Sequence, residues 1–414
     1  MAHVPLDQER ARRARTNPMR RYVERHEHLL LGRMGTSTVW AGDPTANPYE
    51  TGQPAPETPA ASEMHETSRG PEPELMTDAE RARHMVRVFE PAAIREAREL
   101  LGAPASKADG RRDAAALSRG SAALERAGRD DGWRSVPWAG PTEVVEPFAS
   151  LGPEVENFRE VIEHLRTQWT LASRAHCASE ARIDPILLTG DPGVGKTHFA
   201  AALAALIDVT MSIFSAGSAC DSMQLCGSDA RWSNTRTGMV FDALAMGDSA
   251  APVLVVDELD KLAPESGANR DTPINTLLDL LEEESARRYR DMSLQLEMDA
   301  SRVIVICTAN DRERIAPPLL SRLTEFHITP PTADQRRLIL EQYLGRLIET
   351  HECPSGMALD AASAEAALAM PDLDVRALLR MVRAGFAAAL AAGSDRAILS
   401  PARRGPGRRR IGFI

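Results

Sequence analysis

Ile186-Leu187-Leu188-Thr189-Gly190-Asp191-Pro192-Gly193-Val194-Gly195-Lys196-Thr197 decides how this chain is read. Its first four residues make an apolar run with the length of a buried strand, and the stretch from His198 to Leu206 is Ala- and Leu-rich and favours a helix. Between them stands Gly-x-x-x-x-Gly-Lys-Thr. Strand, glycine loop and helix N-terminus in that order make a phosphate cradle, the Walker A arrangement. The loop's N–H groups turn inward, and Gly193 and Gly195 let the backbone approach where a Cβ would intrude. Lys196 is placed to reach the β- and γ-phosphates, and the Thr197 hydroxyl to bind Mg²⁺. Gly190, Asp191, Pro192, Val194 and His198 complete the candidate nucleotide-contacting set. The competing reading is a chance glycine turn, which the strand before and the helix after argue against.

Outward from this loop, 414 residues leave room for two or three domains and a sizeable core. A net charge of −10 argues against a wholesale nucleic-acid binder, although both ends are locally basic. Among 49 basic residues only Lys107, Lys196 and Lys261 are lysine, and one of them sits in the phosphate loop, where a compact ammonium suits better than a planar fork. Five cysteines without Cys-x-x-Cys spacing argue against a zinc site. With no secretion signal, they fit a reducing cytoplasm. No run of 18 apolar residues is present, so no membrane span is expected.

The N-terminal extension reads as largely disordered or helical. Residues 1–75 combine a basic arm with a Pro-rich linker whose composition cannot bury enough apolar surface to fold. The arm reads equally as a partner-docking helix or as a partly ordered tail. Residues 76–145 read as short helices and linker. Thr77-Asp78-Ala79-Glu80 has the form of a capping box, with Met85, Val86 and Phe89 following at helical spacing, whereas 103–143 looks like linker. The folded engine is expected to begin near Pro147. Phe158, Val161, Ile162 and Leu165 mark a helix face. Strands are expected at 186–189, 209–214, 253–256, 303–307 and 326–328. Five strands separated by helical patterns predict an α/β fold with a parallel sheet and ligands at the strands' carboxyl ends.

The third strand, Val253-Leu254-Val255-Val256, runs into Asp257-Glu258. An acidic strand end is common by itself. Paired with a full phosphate loop upstream it reads as Walker B, with Asp257 helping to hold Mg²⁺ and Glu258 polarising the attacking water.

Walker A, then Asp257-Glu258-Leu259-Asp260-Lys261, then Thr308-Ala309-Asn310 resembles the AAA+ ATPases, and residues 186–385 are similar to the ATPase module of Lon proteases. Ile274-Asn275-Thr276-Leu277-Leu278-Asp279-Leu280-Leu281, Tyr289-Arg290-Asp291-Met292-Ser293-Leu294, Pro318-Leu319-Leu320-Ser321-Arg322-Leu323 and Asp374-Val375-Arg376-Ala377-Leu378 carry that likeness in order. The resemblance implies roles at matching positions. Asn310 would be the first sensor, on a strand between those bearing Walker A and Walker B. Arg322 would be an arginine finger for the neighbouring subunit, and Arg376 the second sensor, from a helical lid. It places Trp232 in the first pore loop, gripping a threaded polypeptide; the competing reading is a buried core tryptophan. It also implies an AAA+ α/β domain over 146–330 and a small all-α lid over 331–395; the arginine-rich residues after them, from Arg403 to Arg410, make 396–414 read as a basic tail. With about 40 residues following Arg376, no Ser–Lys protease domain is expected.

Three functions stand as expectations. The first is an ATP- and Mg²⁺-dependent remodelling motor, a homo-oligomeric ring, plausibly a hexamer, acting on a protein substrate. The second is a nucleic-acid-associated ATPase using the basic termini. The third, a nucleotide-gated scaffold, is disfavoured by Glu258 and Arg322.

Overall fold

The computed structural model describes residues 78–102, 114–138, 148, 151, 155–218, 222–229, 235–262, 272–353, 356–370 and 373–400. The chain divides into two units, 1–80 and 81–414, and apart from residues 78–80 the described residues belong to the second. The basic arm, the Pro-rich linker, Trp232 and residues 401–414 lie outside the described residues.

After a short helix, α1 (Asp78–His84), come β1 (Met85–Arg87), α2 (Pro91–Gly102), α3 (Ala114–Ala127) and β2 (Trp133–Ser135). The helical pattern expected through Phe89 therefore ends at His84, and β1 pairs antiparallel with β2, with Val86 opposite Arg134. The expected linker over 103–143 is corrected as well: Ala114–Ala127 is helix, burying Ala116, Ala123, Leu124 and Ala127. Small residues carry that buried face, so it escaped a search for large apolar side chains.

This N-terminal wing is fastened to the sheet domain through two arginines, Arg134 and Arg129, the latter donating to the carbonyl of Ala245 at 2.9 Å. The Arg134 side chain is buried and donates to the carbonyls of Leu244 (3.0 Å), Arg126 (2.9 Å), Arg129 (3.0 Å) and Trp133 (2.8 Å). Burial pushes its pKa down, and neighbouring Arg129 adds to that effect. Backbone bonds from Ser135 to Asp248 and from Ala250 to Ser135 extend the junction, and Trp138 packs edge-on against Trp169. The folded engine thus begins well before Pro147.

The sheet domain continues with α4 (Arg159–Ala172), β3 (Ile186–Thr189), α5 (Lys196–Leu206), β4 (Met211–Ser215), α6 (Met239–Met246), β5 (Val253–Asp257), α7 (Pro273–Leu281), a hairpin of β6 (Tyr289–Asp291) and β7 (Leu296–Met298), β8 (Ile304–Ala309) and β9 (Thr324–His327). Five strands pair in parallel in the order β4-β5-β8-β3-β9. The expected strands are all present, shifted by a residue or two at their ends. β3 and β8 are buried along their whole length, which is why both read as unbroken apolar runs.

Three helices follow: α8 (Ala333–Thr350), α9 (Ala361–Leu368) and α10 (Val375–Ala392). Thr332 and Gln335 close a capping box at the start of α8, and the Asp374 side chain accepts from the Ala377 amide to cap α10. Leu340, Leu344, Leu378, Val382 and Phe386 build a separate apolar core. A two-residue parallel pairing joins β10 (Ala358–Leu359) to β11 (Arg396–Ala397). Ala397 and Leu399 are buried in this core, so the helical lid is not purely α and runs past residue 395 into the expected tail.

Candidate active site

β3 delivers the phosphate loop. Gly190 has φ +138°, and a Cβ there would lie 2.3 Å from the carbonyl oxygen of Ile328, so only glycine fits beside the chain leaving β9. Asn157 staples the same region, donating to the carbonyls of Val194 (3.3 Å) and Thr329 (3.1 Å). α5 then starts at Lys196, with Phe158 stacked on Phe199 at 4.6 Å beneath it. Asp191 and Pro192 are exposed at the loop's outer edge, Val194 is buried, and His198 lies exposed on the first turn of α5.

Lys196 is buried, yet its ammonium has all three hydrogens engaged: with Gly190 O (2.6 Å), Asp191 O (3.1 Å) and Asn310 Oδ1 (3.0 Å). Burial lowers its pKa. The carboxylates of Asp257, Asp260 and Asp191 oppose that shift, and the Arg376 charge adds to it. The lid therefore approaches the loop, as a second contact shows. A Cβ on Gly193 would lie 3.1 Å from Asp374 Cβ, at the N-terminus of α10. Arg376, two residues on, is exposed.

β5 ends at Asp257, whose Oδ1 accepts from Thr308 Oγ1 (2.7 Å) and Thr197 Oγ1 (3.4 Å). A carboxylate oxygen and a hydroxyl facing each other at the phosphate loop suit Mg²⁺, which takes one or two protein oxygens together with substrate phosphates and water. No group of three His, Cys, Asp or Glu able to hold a metal occurs among the described residues. Glu258 follows in a left-handed turn (φ 61°, ψ 46°), with its amide on Thr308 Oγ1 (3.2 Å) and its Oε1 held by Lys261 Nζ at 2.7 Å. The Asn310 backbone N–H donates to Oδ1 of buried Asp260 (3.3 Å). β8 does lie between β3 and β5, so Asn310 emerges between the strand that leads into Lys196 and the strand that ends at Asp257.

Arg322 stands apart from this group. β9 runs parallel to β3 with Thr324 opposite Ile186 and His327 opposite Thr189. Arg322 therefore precedes the strands' amino ends, while the phosphate loop leaves their carboxyl ends, roughly 10 Å or more away at about 3.3 Å per residue. Its Nε donates to Glu282 Oε2 (2.6 Å) and its Nη1 to Pro318 O (3.0 Å). It lines an open cavity of about 270 Å³ with Arg182, Asp184, Glu282 and Glu283.

The neck of the segment bearing Trp232 is described even though Trp232 is not. Ser228 and Arg236 bond to each other across it (Ser228 N to Arg236 O, 3.0 Å; Arg236 N to Ser228 Oγ, 2.8 Å). Fully buried Asp291, on β6, accepts the Gly238 amide at 2.7 Å. Sequence reasoning assigned no role to Asn157, Lys261, Glu282 or Asp291. The one available signal was Lys261, one of only three lysines in an arginine-rich chain.

A family model described as ATPase family associated with various cellular activities (AAA) matches residues 186–330. Residues 186–330 are an AAA module. Over 159 residues, 38% of this chain, the sequence is 33% identical to a Lon protease of Borrelia duttonii and 32% identical to a mitochondrial Lon protease homolog of Saccharomyces cerevisiae. The match covers 19% and 14% of those proteins, so the chain spans under a fifth of their length. A solved closed-state structure of Hsp104 with ATPγS and FITC casein superposes with a TM-score of 0.51 at 16% identity, over 66% of this chain and 53% of that one. At such identity it is the fold that is shared. The AAA module is thus similar in sequence to the ATPase region of Lon proteases.

Proposed function

We propose that this protein hydrolyses ATP with Mg²⁺ at a seam between copies of itself and uses the cycle to remodel a protein substrate. The observation that carries the reading is the convergence of Lys196, Thr197, Asp257, Glu258 and Asn310 on one phosphate loop. Lys196 exchanges its loop carbonyls for the β- and γ-phosphates, and Thr197 and Asp257 offer oxygens to the metal. Bound Mg²⁺ supplies charge neutralisation across the phosphates. Glu258, released from Lys261, accepts a proton from the attacking water, which Asn310 orients without adding charge. Arg376 closes over the phosphates from the lid.

Arg322 cannot serve its own loop from the far end of the sheet. It fits a role in trans, stabilising the charge that develops in the next subunit's site. That geometry favours a closed ring, plausibly of six. A protein substrate is favoured by the sequence likeness to Lon proteases, and the neck pinned by Asp291 is a firm base for a gripping loop at Trp232.

The test is steady-state ATP turnover by the purified full chain, with and without an unfolded protein such as casein. Mg²⁺-dependent turnover raised by casein and abolished by Glu258→Gln is expected. Turnover indifferent to casein but raised by single-stranded DNA would replace the protein substrate with nucleic acid, and turnover unaffected by Glu258→Gln would overturn the hydrolytic assignment.

A further inference from the structure

β8 is apolar from Ile304 through Cys307 and buried throughout, yet it places a hydroxyl at Thr308, which is 1% exposed. Asn310 follows Thr308 two residues on, just past the end of the strand. They serve different neighbours: Asn310 turns to Lys196, and Thr308 turns to β5. The Thr308 hydroxyl donates to Asp257 Oδ1 at 2.7 Å and accepts the Glu258 amide at 3.2 Å, so its hydrogen and one lone pair are both committed. The turn it grips is unusual. Glu258 has positive φ, a conformation that residues bearing a β-carbon adopt only when the surroundings hold them there. Packing alone would be met by valine, which has the same shape and suits a buried strand better. The hydroxyl is therefore there for its bonds.

We propose that Thr308 is the positioning residue of the hydrolytic centre: one hydroxyl aims the Asp257 carboxylate at the Thr197 side of the metal site and fixes the backbone turn from which Glu258 reaches the water. This rests on the roles given above to Asp257 and Glu258. The Thr308 hydroxyl is committed to Asp257 and Glu258 and acts through those two residues. Losing it shifts the reacting groups while leaving the phosphate loop and Lys196 in place, so turnover falls far more than ATP affinity does.

The experiment compares Thr308→Val, Thr308→Ser and Glu258→Gln in the full chain, reading kcat and KM for ATP, binding of a fluorescent non-hydrolysable ATP analogue with Mg²⁺, and thermal unfolding. Thr308→Val is expected to lose kcat by about 10- to 100-fold, the scale of a misaligned reacting group. Its KM and analogue binding should change far less than kcat, and its unfolding temperature should drop by only a few degrees for the unpaired Glu258 amide. Thr308→Ser, which keeps the hydroxyl and loses the methyl, should retain most of the turnover. Parental kcat in Thr308→Val, or an equal fall in Thr308→Ser, overturns the inference while Glu258→Gln remains inactive. Should Thr308→Val fail to fold, Thr308→Ala against Thr308→Ser decides on the same criterion, equal rates overturning it. Full turnover in Glu258→Gln would instead remove the hydrolytic reading and the inference with it.

Discussion

Lys196 and Asn310 are tied together across the phosphate site, the lysine ammonium donating to the asparagine Oδ1 at 3.0 Å. The amide therefore competes gently with phosphate for the same cation. A full carboxylate there would compete far harder. Asn310→Asp is expected to weaken ATP binding about 10- to 100-fold, since a charge-assisted hydrogen bond is worth about 1.5–3 kcal/mol. Asn310→Ala should bind ATP as well as the parent and turn it over more slowly. Titration with a fluorescent ATP analogue separates the two.

Arg322 lies at the opposite end of the sheet from Lys196 and is held by Glu282. Arg322→Ala is expected to lower turnover by about 10³-fold, the lower end for an arginine finger. The pair is substantially exposed, so unfolding should change by no more than about 1 kcal/mol. Parental protein should also lose specific activity on dilution, as copies separate. Constant specific activity down to monomeric concentrations would contradict the seam.

Asp291 serves two structures at once. Its Oδ1 accepts from Ser293 N, Ser293 Oγ and Leu294 N, forming the turn of the β6–β7 hairpin, and its Oδ2 takes Gly238 N. In Asp291→Asn the hairpin turn survives on the remaining oxygen, but an NH₂ group then faces the Gly238 N–H. The cost is about 1–3 kcal/mol for the lost partner. Denaturant unfolding measures it. Hydrogen exchange at Gly238 should rise far more than exchange within β8.

Cys307 is buried in β8, and burial pushes its thiol up to about 12. The thiolate is the nucleophile, so a raised pKa leaves about one molecule in 10⁴ reactive at pH 8, before access is considered. Iodoacetamide at pH 8 should label the half-buried Cys177 and Cys353 in the native protein and reach Cys307 only on unfolding, as peptide mass spectrometry would show.

The phosphate loop and Asp257-Glu258 were legible because their chemistry demands fixed residue types at fixed spacing, next to strands buried on both faces. The strands themselves followed from the same apolar runs, whereas the one ordering expected, the strand of Asn310 between those of Lys196 and Asp257, came from the resemblance. The α3 helix was not legible: Ala116, Ala123 and Ala127 bury a face that looks like composition bias. The fastening of the wing through Arg134 was hidden for a related reason, because in a chain so rich in arginine nothing in the sequence distinguishes a buried one. Thr308, Lys261 and Glu282 depend on pairings between strands or across turns, which spacing alone does not reveal. Arg322 was placed by resemblance, and the β3–β9 register supplies the physical reason it cannot act within its own chain.

That register also has a genetic consequence. If Arg322 acts in trans as proposed, a copy altered at Lys196 would still lend its Arg322 to a neighbour, and a copy altered at Arg322 would still offer an intact pocket. Two such defective alleles, expressed together, should partly complement each other, whereas either one expressed alongside the normal gene should act as a dominant poison in proportion to its dose.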